Sequence, residues 1–108
     1  MRAEDQGAPA IPRAVRPPLT PRWVFEPWAW EDNSNTAAAV DDLVDGYLSN
    51  GIPLGAVMID SPWATNYNTF EFGPDYPNPG MFISRLKERG IRVVLWATPV
   101  VNLSSLDG

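Results

Sequence analysis

The amino-acid sequence predicts an α/β fold built on a parallel sheet, and three observations carry that prediction. The segments Leu54–Asp60 and Ile91–Ala97 lack polar alternation, as strands covered on both faces do. A stretch with helical periodicity precedes each of them. Each of those stretches stops at a glycine, Gly51 or Gly90, directly before the next apolar segment. Alternating β and α units imply parallel strands joined by crossover helices.

The elements follow in chain order. Residues 1–21 hold Pro9, Pro12, Pro17, Pro18 and Pro21. Each proline fixes φ and removes a backbone donor, so residues 1–22 are expected to be an extended lead-in or linker. Order is expected from Trp23, with a first strand at residues 23–27 formed by Trp23-Val24-Phe25 and stopped by Pro27. Trp28 to Asn35 then reads as a polar loop carrying two tryptophans. Thr36 is a plausible N-cap for a helix whose apolar stripe is Val40, Leu43, Val44, Tyr47 and Leu48. Asp41, Asp42 and Asp45 take its other face, the first two favoured by the helix dipole.

The second strand is expected over Leu54–Asp60, with Ala56-Val57-Met58-Ile59 as its continuous apolar run. A long loop follows, residues 61–77. Its aromatics Tyr67, Phe70, Phe72 and Tyr76 are expected to pack it onto the top of the sheet. Asn78-Pro79 opens a second helix with a cap and a proline at its first position. Phe82, Ile83 and Leu86 form its stripe, and Lys87 and Arg89 lie in its last turn. The third strand is Ile91–Ala97, ended by Pro99. The αβ connections are tight and the βα connections long and aromatic, so the long loops mark the functional end of the sheet. Periodicity leaves barrel and open sheet undecided. No G-x-G-x-x-G or Walker pattern follows the first strand, so nothing favours a nucleotide-binding sheet.

Composition narrows the chemistry. With 44% hydrophobic residues, five Trp and four Phe, the chain can form a core. Residues 23–108 hold four basic residues (Arg85, Lys87, Arg89, Arg92) against eleven acids, a net of −7. That disfavours a nucleic-acid partner, which would need a basic face, and suits a neutral substrate handled by carboxylates. There is no Cys and no His, which removes disulfides, cysteine zinc sites and the commonest metal ligand. No stretch approaches the ~18 apolar residues of a membrane span, and the N-terminus lacks the apolar core of a signal peptide.

Asp60 is the most informative residue. It ends an apolar strand in Val57-Met58-Ile59-Asp60-Ser61-Pro62-Trp63, where a carboxylate would emerge at the mouth of the sheet. Asp before Ser-Pro is also ordinary turn chemistry, so a capping role is the competing reading. A carboxylate beside Trp63 suits sugar recognition: the acid accepts hydroxyl hydrogen bonds and the aromatic face covers C–H surface. Trp28, Trp30 and Trp96 lie in or near the ends of strands 1 and 3, where core filling competes with a binding role. Glu31 and Asp32 read as residues of a solvated loop.

Several stretches together resemble glycoside hydrolase family 31, the family of α-glucosidases, α-xylosidases, α-galactosidases and sulfoquinovosidases. They are Trp23 to Trp30; Gly51-Ile52-Pro53-Leu54 through Asp60; Phe70-Glu71-Phe72 followed by Tyr76-Pro77-Asn78-Pro79; and Leu86 through Gly90-Ile91-Arg92-Val93-Val94-Leu95-Trp96 to Pro99. The resemblance runs from residue 23 to about 102. It implies that residues 23–108 are the first three strands and two helices of a (β/α)8 barrel, which is incomplete because a whole barrel needs roughly 250 residues.

The resemblance also implies roles. The family's sugar-binding Asp at the end of strand 2 falls on Asp60, and a strand 3 pocket position falls on Trp96. A strand 1 aromatic wall falls on Trp28 or Trp30. The family's nucleophile lies on strand 4 and its acid/base on strand 6, so the chain supplies no catalytic residue, no metal ligand and no cofactor site. The expected function is a fragment of a retaining α-glycoside hydrolase, inactive alone, with an α-linked sugar or oligosaccharide and the remainder of the barrel as partners. The alternative is a non-catalytic carbohydrate-binding or interaction fragment using the tryptophan cluster.

Overall fold

The computed structural model describes residues 7, 10, 17–32 and 35–100. Of the proline-rich lead-in, residues 1–6, 8, 9 and 11–16 lie outside the described residues, and 17–21 are exposed without regular structure. Five elements follow: β1 (Trp28–Glu31), α1 (Ala37–Ser49), β2 (Ala56–Ile59), α2 (Pro79–Glu88) and β3 (Arg92–Leu95). The strands form one parallel sheet in the order β1-β2-β3. The expected α/β architecture with three parallel strands and two helices is therefore present.

The first strand lies elsewhere than expected. Arg22–Phe25 is a 3-10 turn, and the strand is Trp28–Glu31, within the stretch read as a loop. The β-prone run Trp23-Val24-Phe25 lost to the prolines on either side of it. Pro21 accepts from Val24 N at 3.2 Å and closes the turn. Pro27, which has no N–H, serves at the head of the strand, where only its carbonyl is needed; it accepts from Gly55 N at 2.9 Å. The alternation that marks β1 is Trp28 open, Ala29 buried, Trp30 open, with the bulky aromatics on the uncovered side. Gly55 belongs to the same junction. A Cβ there would stand 2.3 Å from the Trp23 carbonyl oxygen, so the 3-10 turn can pack onto β2 only over a glycine.

The other elements form where their residues ask for them. Thr36 caps α1 by accepting from Ala39 N at 3.1 Å. Val40 and Val44 are buried, Leu43 and Tyr47 half-buried, and Leu48 at the end of the stripe is exposed. Gly51 (φ 69°) and Gly90 (φ 82°) take the left-handed conformation that ends each helix. Pro79 opens α2, although the Asn78 side chain makes no capping bond. Asp41 and Asp42 lie beyond the first turn of α1, which holds no acidic residue; Asp41 and Asp45 instead pair with Arg85 and Arg89 of α2 and link the two helices. Such partly exposed pairs contribute little stability.

Stability comes from one apolar layer. Ala29, Val57 and Ile59 on one face of the sheet meet Val40 and Val44 of α1 and Phe82 and Leu86 of α2, with Leu54, Ile91, Trp63 and Tyr76 completing the core. Both helices thus cover the same face. By register and pleat, Trp28, Ala56 and Arg92 form one row on the opposite face, and Trp30, Met58 and Val94 the next row towards the C-terminal ends.

Candidate functional site

The candidate site lies at the C-terminal edge of the uncovered face. The ladder continues past the strands through Asp60 N to Glu31 O (3.1 Å) and Trp96 N to Ile59 O (2.9 Å). Alternation therefore carries Asp60 and Trp96 onto the same face as Trp30. The Asp60 carboxylate is held at both oxygens: Oδ1 accepts from Ser61 N at 2.6 Å and Oδ2 from the Trp30 indole Nε1 at 2.8 Å. The two readings of Asp60 are thus compatible, because one oxygen caps the 3-10 turn Ser61–Trp63 while the other faces the aromatic wall. Each carboxylate oxygen can accept more than one bond, so acceptor capacity remains for an incoming hydroxyl.

The tryptophans divide into three environments. Trp30 is 60% exposed beside the carboxylate. Trp28, 41% exposed, lies one row lower, stacked on Trp23 with ring centroids 5.6 Å apart, and the Arg92 guanidinium lies over the Trp23 ring. Trp63 is only 4% exposed; its indole donates to Trp96 O at 2.7 Å and its ring meets Phe72 edge-on at 5.0 Å. Trp63 therefore props up the backbone of Trp96 from beneath, with its own faces covered. Trp96 is half-buried and meets Tyr67 edge-on at 5.8 Å.

The long loop is only partly packed down. Phe72 and Tyr76 join the core, as expected, and an antiparallel bridge between Ala64 and Phe72 closes the excursion between them. Tyr67 and Phe70 instead remain largely exposed, although the Tyr67 ring still meets Trp96 at the end of β3. Phe70 adopts φ 54°, an uncommon conformation for an aromatic residue at the loop tip.

In sequence Asn35 is one more residue of the polar loop. It is buried, at 6% exposure, and its Nδ2 donates to the carbonyl of Asp60 at 2.9 Å. The Tyr76 hydroxyl donates to Asn35 Oδ1. Burial, with smaller effects from the carboxylates of Glu31 and Asp75, pushes the Tyr76 phenol well above its ordinary pKa and keeps it protonated as a donor. Among the described residues no group of three or more His, Cys, Asp or Glu is arranged to hold a metal, and no helix is long and apolar enough to cross a membrane.

Comparison with known proteins identifies the lineage. Residues 17–106 match the family model described as the glycosyl hydrolases family 31 TIM-barrel domain. The chain belongs to glycoside hydrolase family 31. An α-xylosidase of Emericella nidulans is 30% identical over 95 residues, covering 83% of this family 31 chain and 12% of the relative. A 1,3-α-isomaltosidase of Kribbella flavida is 31% identical over 103 residues, covering 74% of this chain and 14% of the relative. Among solved structures, the cycloalternan-degrading enzyme from Trueperella pyogenes superposes with a TM-score of 0.68 at 29% identity, over 85% of this chain and 16% of that one. The same enzyme in complex with isomaltose gives a TM-score of 0.66 at 32% identity, over 78% of this chain and 15% of the other. The chain thus spans less than a fifth of the length of these family 31 relatives.

Proposed function

We propose that this chain forms the first three βα-type strands of the barrel of a retaining α-glycoside hydrolase, and that its uncovered sheet face is one wall of the sugar pocket. On this reading residues 23–108 belong to the barrel and 1–22 lead into it. The observation that carries the proposal is the Trp30 indole bonded to Asp60 Oδ2 at the C-terminal edge of a parallel sheet. That edge is where (β/α)8 enzymes place their sites.

Asp60 accepts hydrogen bonds from sugar hydroxyls. Trp30 and Trp96 present aromatic surface to the C–H face of the same ring. Trp28, one row lower, fills the barrel interior beneath the sugar, and Trp63 contributes by supporting Trp96. An α-linked glucoside is the favoured ligand class, since the Trueperella enzyme has been solved with isomaltose and with cycloalternan. That enzyme has also been captured as a covalent intermediate, the species a retaining mechanism forms.

Retention needs a nucleophilic carboxylate and a general acid/base about 5–5.5 Å apart. The family resemblance puts these on strands 4 and 6, whereas β1 to β3 supply only binding groups. The chain by itself therefore binds without turnover, and the two-carboxylate mechanism calls on no cofactor. Titrating the chain with isomaltose, read by tryptophan fluorescence, and incubating it with nitrophenyl α-glycosides tests both halves. Saturable binding without hydrolysis is expected. Asp60→Asn should weaken binding about ten- to a hundredfold, the effect of one hydrogen bond to a charged group. Asn keeps an oxygen for the Ser61 cap, so the melt should lose no more than about 1 kcal/mol. Turnover by the chain, or an unchanged affinity in Asp60→Asn, overturns the proposal.

A further inference from the structure

We infer that Asn35 is a positioning residue for Asp60, with the Tyr76 hydroxyl holding its carboxamide in place; the inference rests on Asp60 being a sugar ligand. A buried amide destabilises a fold unless both of its ends are bonded. Here both are, and the chemistry leaves a single arrangement. The Asp60 carbonyl can only accept, so the amide must turn its NH2 towards Asp60 and its oxygen towards Tyr76, which must then donate. A phenol is protonated across the neutral range in any case, and burial raises its pKa further, so the donor is present.

The result is a bridge across three segments: the β1–α1 loop, the end of β2 and the loop leading into α2. Tyr76 is itself immobilised, with its ring against Phe72 and Phe82 at 5.5 and 5.4 Å between centroids and its N–H on Gly73 O at 3.0 Å. At the other end of the bridge, the backbone of Asp60 is bonded on both sides. Its N–H donates to Glu31 O and its carbonyl accepts from Trp63 N at 3.1 Å as well as from Asn35. Removing Nδ2 leaves that carbonyl a single partner, one already committed to closing the 3-10 turn. The peptide following Asp60 then gains freedom to tilt. A tilt moves the carboxylate away from the Trp30 indole and weakens the bond between them. Asn35 thus acts on ligand binding through Asp60, with no contact to the sugar required of it.

The indole N–H signals of the chain, resolved by 1H–15N NMR and assigned by single Trp→Phe substitutions, test this directly. Trp30 reports the Asp60 carboxylate, and Trp63, bonded to Trp96 O, is the internal control. Asn35→Ala should move the Trp30 signal towards that of a free indole, speed its solvent exchange about tenfold, and leave Trp63 unmoved. Isomaltose binding should weaken by about tenfold in parallel. Tyr76→Phe, which keeps the ring in the core, should shift Trp30 in the same direction by less, and it decides the question alone if Asn35→Ala fails to fold. An unmoved Trp30 in the folded variant, or Trp30 and Trp63 moving together, overturns the inference. A selective Trp30 shift in a chain whose wild type does not bind isomaltose removes the pocket reading and leaves the positioning intact. An unmoved Trp30 with normal binding removes the positioning alone.

Discussion

On one side of the sheet Ala29, Val57 and Ile59 disappear beneath two helices, while on the other Trp28 and Trp30 keep much of their surface open. The same strands build both sides, one residue out of step. The covered side uses small and branched aliphatic residues, which interdigitate with Val40, Val44, Phe82 and Leu86 and leave little room for a polar atom. The open side carries two tryptophans and an arginine alongside Ala56, Met58 and Val94, and ends in a carboxylate. Stability is therefore assigned to one phase of a period of two, and the proposed recognition to the other. An exposed aromatic surface rimmed by polar groups is what a binding face looks like, and it contributes little to holding the fold together.

Three substitutions probe that division. The largest effect is expected on the covered side, where Leu86→Ala empties a fully buried position of α2. It should cost about 2–5 kcal/mol of unfolding free energy in a denaturant melt. A loss below about 1 kcal/mol would mean that the helix layer is loosely packed, and the contrast between the faces would weaken. Gly55→Ala comes next, because its Cβ would run into the Trp23 carbonyl and the Glu26 side chain. Backbone lies on one side of the clash, so the 3-10 turn must lift from β2, at a cost of about 1–3 kcal/mol. Smallest in stability is Trp30→Ala on the open side, expected within about 0.5 kcal/mol in the same melt. Its isomaltose affinity should nevertheless fall by about tenfold, with loss of the stacking surface. A strongly destabilised Trp30→Ala would place that ring among the fold's supports and erase the division.

Most of the architecture was legible because the signals are local. Helix stripes, the Thr36 cap, the glycine stops and the apolar runs each act within a few residues, and each element but β1 formed where they pointed. β1 was misplaced because Trp23-Val24-Phe25 has the composition of a strand, whereas Trp28-Ala29-Trp30 shows its alternation only once one knows which side is covered. Asp60 stood out by its place at the end of an apolar run. Asn35 did not, because an asparagine ahead of a helix cap looks like any loop residue until its partners are known.

Residues adjacent in the chain thus determined the parallel α/β order, the helix ends and the emergence of a carboxylate at the sheet's C-terminal edge. Those features depend on backbone conformation and on short-range burial, which neighbours in sequence dictate. Tertiary structure alone decided which tryptophan meets that carboxylate. The Trp30 indole reaches Asp60 across 30 residues, the Asn35 amide across 25 and the Tyr76 hydroxyl reaches Asn35 across 41. Such bonds have no sequence signature, because a hydrogen bond depends on distance and direction in space, and only strand pairing and helix packing bring these atoms within reach.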